Sequence, residues 1–88
     1  MKAPKNRADH RIKIIHGHCK KIEQMIKEDR YCMDIIVQSL AAQKSLASLN
    51  KLLLENHLKC CIKTQFQNGE EEKAIKELVE LYDLSGRG

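Results

Sequence analysis

From Tyr31 to Phe66 the chain reads YCMDIIVQSLAAQKSLASLNKLLLENHLKCCIKTQF, a run with no glycine and no proline. Helix formers fill it, among them Met33, Ile36, Leu40, Ala41, Ala42, Leu46, Leu49, Leu52, Leu53, Leu54 and Leu58. The run predicts one long helix, on the order of 50 Å at about 1.5 Å per residue. A compact chain of 88 residues has a radius of gyration of roughly 12 Å. One protomer is therefore too small to cover such a helix, and association is implied.

Upstream of this run, Ile12, Ile15, Cys19, Ile22, Met25 and Ile26 recur mostly at spacings of three and four, the mark of one helical face. They predict helix one at about 8–28. The polar segment Glu28-Asp29-Arg30-Tyr31 predicts a break, with Asp29 capping the long helix two at about 31–66. Downstream, Asn68-Gly69 suits the left-handed conformation that ends a helix. Glu70, Glu71 and Glu72 then place negative charge in the first turn of helix three. Ala74, Ile75, Leu78, Val79 and Tyr82 give that helix, at about 70–84, its apolar face, and Ser85-Gly86-Arg87-Gly88 is expected to fray. The expectation is a single all-α domain, 1–88, with three helices.

Composition agrees. No tryptophan, one phenylalanine, two tyrosines, one proline and four glycines are poor material for a sheet core. A domain this short buries only about 60% of its unfolded surface, so a staple or a partner chain is expected. No apolar run approaches bilayer length, and the N-terminus carries no apolar stretch of the signal-peptide kind. The cytoplasm is the expected compartment, with no membrane partner. There the four cysteines (Cys19, Cys32, Cys60, Cys61) point to metal ligation, thiol chemistry or packing before disulfides.

Charge is unevenly spread. Residues 1–28 hold eight basic side chains against three acidic ones, whereas the rest of the chain holds eight against nine. A basic first element on a near-neutral body suggests a polyanionic partner.

His57 and Cys61 lie four apart, so on a helix they share a face and can share a ligand. Cys32 lies 25 residues before His57, roughly 37 Å away along a straight helix. One chain cannot close that gap. Two copies of the helix paired antiparallel about a twofold axis can, if Cys32 of one faces position 59 of the other. The axis then falls between Ser45 and Leu46, in a stretch of small residues (Ala41, Ala42, Ser45, Ala47, Ser48). Such a site holds two thiolates and one imidazole. Three soft donors suit Cu(I), whereas structural zinc takes four ligands; zinc or nickel stays open if His10 or another group supplies a fourth.

The stretch Glu28-Asp29-Arg30-Tyr31-Cys32-Met33-Asp34, the pattern Asn56-His57-Leu58-Lys59-Cys60-Cys61 and Glu77 within Ala74-Ile75-Lys76-Glu77-Leu78 together resemble the CsoR/RcnR family of bacterial metal-sensing repressors, most closely its copper-sensing branch. The resemblance covers nearly the whole chain. It implies an all-helical protomer, an antiparallel dimer on the long helix and a dimer-of-dimers tetramer. It also implies a repressor that binds operator DNA when metal-free and releases it on binding Cu(I), derepressing copper efflux or handling genes. Its Cu(I) ligands map onto Cys32 of one protomer and His57 and Cys61 of the other, and its outer pair onto Tyr31 and Glu77.

The expected DNA-contacting set is Arg7, Arg11, Lys13, Lys20 and Lys21, acting mostly through phosphate charge. Lys44 is a near neighbour of the basic position many members carry in helix two. Helix one reads His16-Gly17-His18-Cys19 where many members have Glu-Gly-Gln, which raises an extra metal- or proton-sensitive cluster beside the plainer reading of surface histidines and a packed cysteine. The rival readings are a sensor of thiol oxidation, persulfide or another metal, and a helical scaffold with incidental cysteines. No nucleophile with an evident base and no phosphate-cradling glycine loop argues for an enzyme.

Overall fold

The computed structural model describes residues 5–87, all helix apart from two short connections. Helix α1 spans Lys5–Lys27 and α2 spans Cys32–Asn56. A π-helical turn, His57–Cys61, follows directly, then α3 at Ile62–Gln67 and α4 at Glu71–Arg87. The helical path 32–67 thus corresponds to the long helix expected at 31–66, and no strand occurs among the described residues. Helix α1 starts three residues before the expected 8–28. Helix α4 runs past the expected 70–84, so Ser85 and Gly86 are helical rather than frayed. Lys2, counted with the basic N-terminal segment, lies outside the described residues.

Both connections are closed by the same backbone device. The Asp29 N–H donates to the Ile26 carbonyl (3.1 Å) and the Arg30 N–H to that of Met25 (3.0 Å), with Asp29 left-handed at φ 52. That is a Schellman closure of α1. Asp29 therefore ends α1 rather than capping α2, because a short polar side chain tolerates this backbone region. At the other connection Gly69, φ 75, plays the same part: its N–H reaches Phe66 (3.2 Å) and that of Glu70 reaches Gln65 (2.7 Å).

The chain divides into two compact units, Met1–Leu54 and Glu55–Gly88. In the first, α1 and α2 form an antiparallel hairpin whose buried side chains are Ile15, Met25, Ala42 and Leu52. Around them Ala8, Arg11, His18 and Ile22 on α1, and Ile35, Gln38, Ser45 and Leu49 on α2, are half-buried. These positions recur at threes and fours, the seam of a helix pair. Arg11 Nη1 donates to Ser48 Oγ across the pair. Small residues are thus spent inside the protomer: Ala41, Ala42, Ser45 and Ser48 turn toward α1, and only Ala47 of the stretch expected at a dimer axis stays exposed.

In the second unit α3 contacts α4, and Ala74 is fully buried. Surface ion pairs such as Lys13–Asp9 (3.0 Å) and Lys27–Glu23 (3.8 Å) lie within single helices and add little stability. The large apolar side chains tell more. Met33, Ile36, Val37 and Leu40 on α2 and Ile75, Val79, Tyr82 and Leu84 on α4 are all about half exposed or more. So few buried side chains offset little conformational entropy, and exposed apolar rows of this extent are of the kind that mark interaction surfaces.

Candidate metal centre and basic surface

Cys32 is the first residue of α2 and is exposed. The N–H groups of Asp34 (3.0 Å) and Ile35 (3.3 Å) donate to the Tyr31 carbonyl, which starts the helix and fixes where the thiol leaves the backbone. On α2 the exposed Cys32, Ile36, Leu40 and Ala47 fall on the side away from α1, as their spacing on a 3.6-residue helix requires.

His57 and Cys61 open and close the π turn. Its wider hydrogen bonding is seen where the Ile62 N–H donates to the His57 carbonyl, five residues back. Single π turns inside helices occur often at functional sites. Thr64 Oγ1 donates to the Cys60 carbonyl (3.1 Å) just beyond it. His57 is half-buried, while Cys60 and Cys61 are exposed. The Cys60 thiol points back to Asn56 Oδ1 (3.9 Å), whereas that of Cys61 makes no side-chain hydrogen bond among the described residues. All four cysteines, Cys19, Cys32, Cys60 and Cys61, are free thiols. Nothing in the sequence pattern announced the π turn, for it holds no glycine or proline.

Among the described residues of one protomer, no three of His, Cys, Asp and Glu gather to hold an ion. His57 and Cys61 lie at the two ends of one π turn in the second unit, whereas Cys32 and His10 belong to the first. Two thiolates and an imidazole fit a soft monovalent ion.

Of the outer pair, Tyr31 lies exposed in the connection before α2. Glu77, on α4, accepts a hydrogen bond from Gln65 Nε2 of α3 (3.0 Å). Gln65 was not singled out by sequence, since a glutamine in a polar helical segment carries no signal of its own. His16 and Cys19 are exposed and His18 is half-buried toward α2.

The basic set lies mostly on α1. Arg7, Lys13, Lys20 and Lys21 are exposed, as is Lys44 on α2. Arg11 is half-buried through its bond to Ser48, and Lys13 is paired with Asp9. Asn6, Arg7, His10, Arg11 and Ile14 line a shallow open groove along α1, a surface that can take phosphate oxygens on its arginines. No described helix is long and apolar enough to cross a membrane.

Among the described residues the chain is all-helical, with cysteines and a histidine distributed along α2 and the π turn and a basic first helix. Residues 4–83 match the family of metal-sensitive transcriptional repressors, and the chain belongs to it. It is 38% identical over 80 residues to the copper-sensing transcriptional repressor CsoR of Mycobacterium tuberculosis, an alignment covering 91% of this chain and 67% of that protein. It is 36% identical over 78 residues to CsoR of Bacillus subtilis, covering 89% of this chain and 77% of that one. The crystal structure of the copper-sensing repressor CsoR with Cu(I) from Geobacillus thermodenitrificans superposes with a TM-score of 0.89 at 29% identity, covering 98% of this chain and 90% of the other.

Proposed function

We propose that the protein is a Cu(I)-responsive repressor that binds operator DNA in its metal-free form and releases it on Cu(I) binding. The observation that carries the reading is the pairing of His57 with Cys61 in one helical turn, in a chain that matches the metal-sensitive repressors along nearly all of its length. The description of the relatives as copper-sensing agrees with the softness of this donor set. Cytoplasmic conditions keep the thiols reduced and competent to bind.

The ligands are Cys32 of one protomer and His57 and Cys61 of a second, in an antiparallel dimer that pairs the exposed faces of two α2 helices and assembles further into a tetramer. When bound, Cu(I) links the two chains. Chain residues do the rest: the His57 ring offers one nitrogen to the ion and its other N–H to an acceptor, the role assigned to Glu77 with Tyr31. Arg7, Lys13, Lys20, Lys21 and Lys44, with the partly engaged Arg11, neutralise phosphates in the metal-free state. A ligand shifts a two-state equilibrium only by its differential affinity, so Cu(I) must bind the DNA-released arrangement more tightly.

The test is an anaerobic Cu(I) titration of the reduced protein on a labelled duplex selected from a random pool by the metal-free protein. One Cu(I) per protomer should lower duplex affinity by about tenfold or more, the usual range of allosteric coupling. Affinity that stays constant through the titration overturns the reading.

A further inference from the structure

We propose that Gln65 is a positioning residue that orients Glu77 for the metal centre. The proposal deepens the copper-sensing reading and rests on it, because it takes Glu77 as the acceptor behind the His57 ring. Gln65 lies one helical turn beyond Cys61, in the α3 segment that continues the π turn. Its Nε2 donates to Glu77 Oε1 at 3.0 Å and so ties α3 to α4.

The amide's other end is telling. Gln65 Oε1 is buried and has no hydrogen-bond partner, an arrangement that costs free energy. Turning the amide over would set that oxygen against the carboxylate, so the carboxylate dictates which end of Gln65 faces it. Glutamine thus keeps its donor on Glu77 at the expense of its own acceptor.

A carboxylate accepts at both oxygens. With Oε1 held by Gln65, Oε2 stays available to a second donor. No salt bridge engages Glu77 among the described residues, and the nearby Lys73 is drawn to Glu70 instead (3.9 Å). Gln65 therefore fixes one oxygen of a flexible side chain and leaves the other to be offered. Because it shares its helical segment with Cys61, the same residue carries any movement of the ligand turn to α4.

The experiment measures Cu(I) affinity of the full chain by anaerobic competition with a chromophoric chelator. The variants are Gln65→Met, which keeps length and loses the donor, Gln65→Lys, which restores a donor, Glu77→Gln, and the Gln65→Met/Glu77→Gln double. Loss of a group that orients a metal ligand weakens binding by about 10–100-fold; one step further out, Gln65→Met should weaken it by about threefold to tenfold. That loss should vanish in the Glu77→Gln background and be largely recovered by Gln65→Lys. The Gln65 side-chain amide signals in a ¹⁵N–¹H spectrum should also move in Glu77→Gln, which decides the matter if Gln65→Met folds poorly. A wild-type chain that binds Cu(I) while Gln65→Met binds equally well, effects that merely add, or amide signals indifferent to Glu77 overturn the positioning role and leave the function standing. A wild-type chain that binds no Cu(I) overturns both, so the two failures are distinguishable.

Discussion

Gly17 and Gly69 both have open space where a Cβ would stand, yet they answer opposite demands. Gly17 lies inside α1, where glycine costs roughly 0.5–1 kcal/mol relative to alanine. Gly17→Ala should stabilise the protein by about that amount. Gly69, at φ 75, closes α3, and a Cβ in that region costs roughly 1–2 kcal/mol. Gly69→Ala should destabilise it by a similar amount; paired urea melts check both signs. Asp29 shows the same backbone demand met without glycine. His57 makes the chemical case at this scale. If the ion is held by imidazole and thiolate together, His57→Ala should cost more than the roughly 100-fold that loss of an outer-shell partner can reach. A regulator working through thiol oxidation or persulfide alone would keep its response in that variant, and Cu(I) competition beside a persulfide challenge separates the two.

The extent of the elements was readable in the chain because each signal was strong and local. An unbroken run from Tyr31 to Phe66 leaves the backbone no reason to stop, and Asn68-Gly69 gives it one. Asp29 was misassigned because aspartate suits both a helix start and a left-handed end, and only tertiary placement chooses. The Gln65–Glu77 bond was illegible because it joins two helices only after they form, and the π turn because no glycine or proline announces it. His57 and Cys61 were legible as a pair because their spacing survives in either helix type. Small residues on α2 report close approach without naming the neighbour. The neighbour of Ala42 is α1. Ala42→Leu should accordingly destabilise the hairpin by about 1–3 kcal/mol through overpacking, measured as a shift of the unfolding midpoint. An unchanged midpoint would mean that this seam is looser than its burial indicates.

At the scale of the whole molecule, the exposed apolar side chains of α2 and the proposed division of the donors lead to one expectation, a second copy. Leu40, about half exposed on α2, sits on the face proposed to pair, so Leu40→Glu should shift the metal-free protein toward monomer in sedimentation equilibrium and weaken Cu(I) binding with it. A stronger demonstration uses two defective chains. If the centre is shared as proposed, Cys32→Ser removes one donor from each site of a homodimer, and so does Cys61→Ser, so neither homodimer holds an intact set. In a mixed dimer both lesions fall on the same site. The other site then joins an intact Cys32 from one chain to an intact His57 and Cys61 from the other. Unfolded together and refolded as an equal mixture, the two variants should regain one high-affinity Cu(I) site per mixed dimer, whereas each alone regains none. Recovery is impossible if a chain supplies all three donors to its own site, because every chain in the mixture is then defective, so a titration that stays flat after mixing excludes the shared centre.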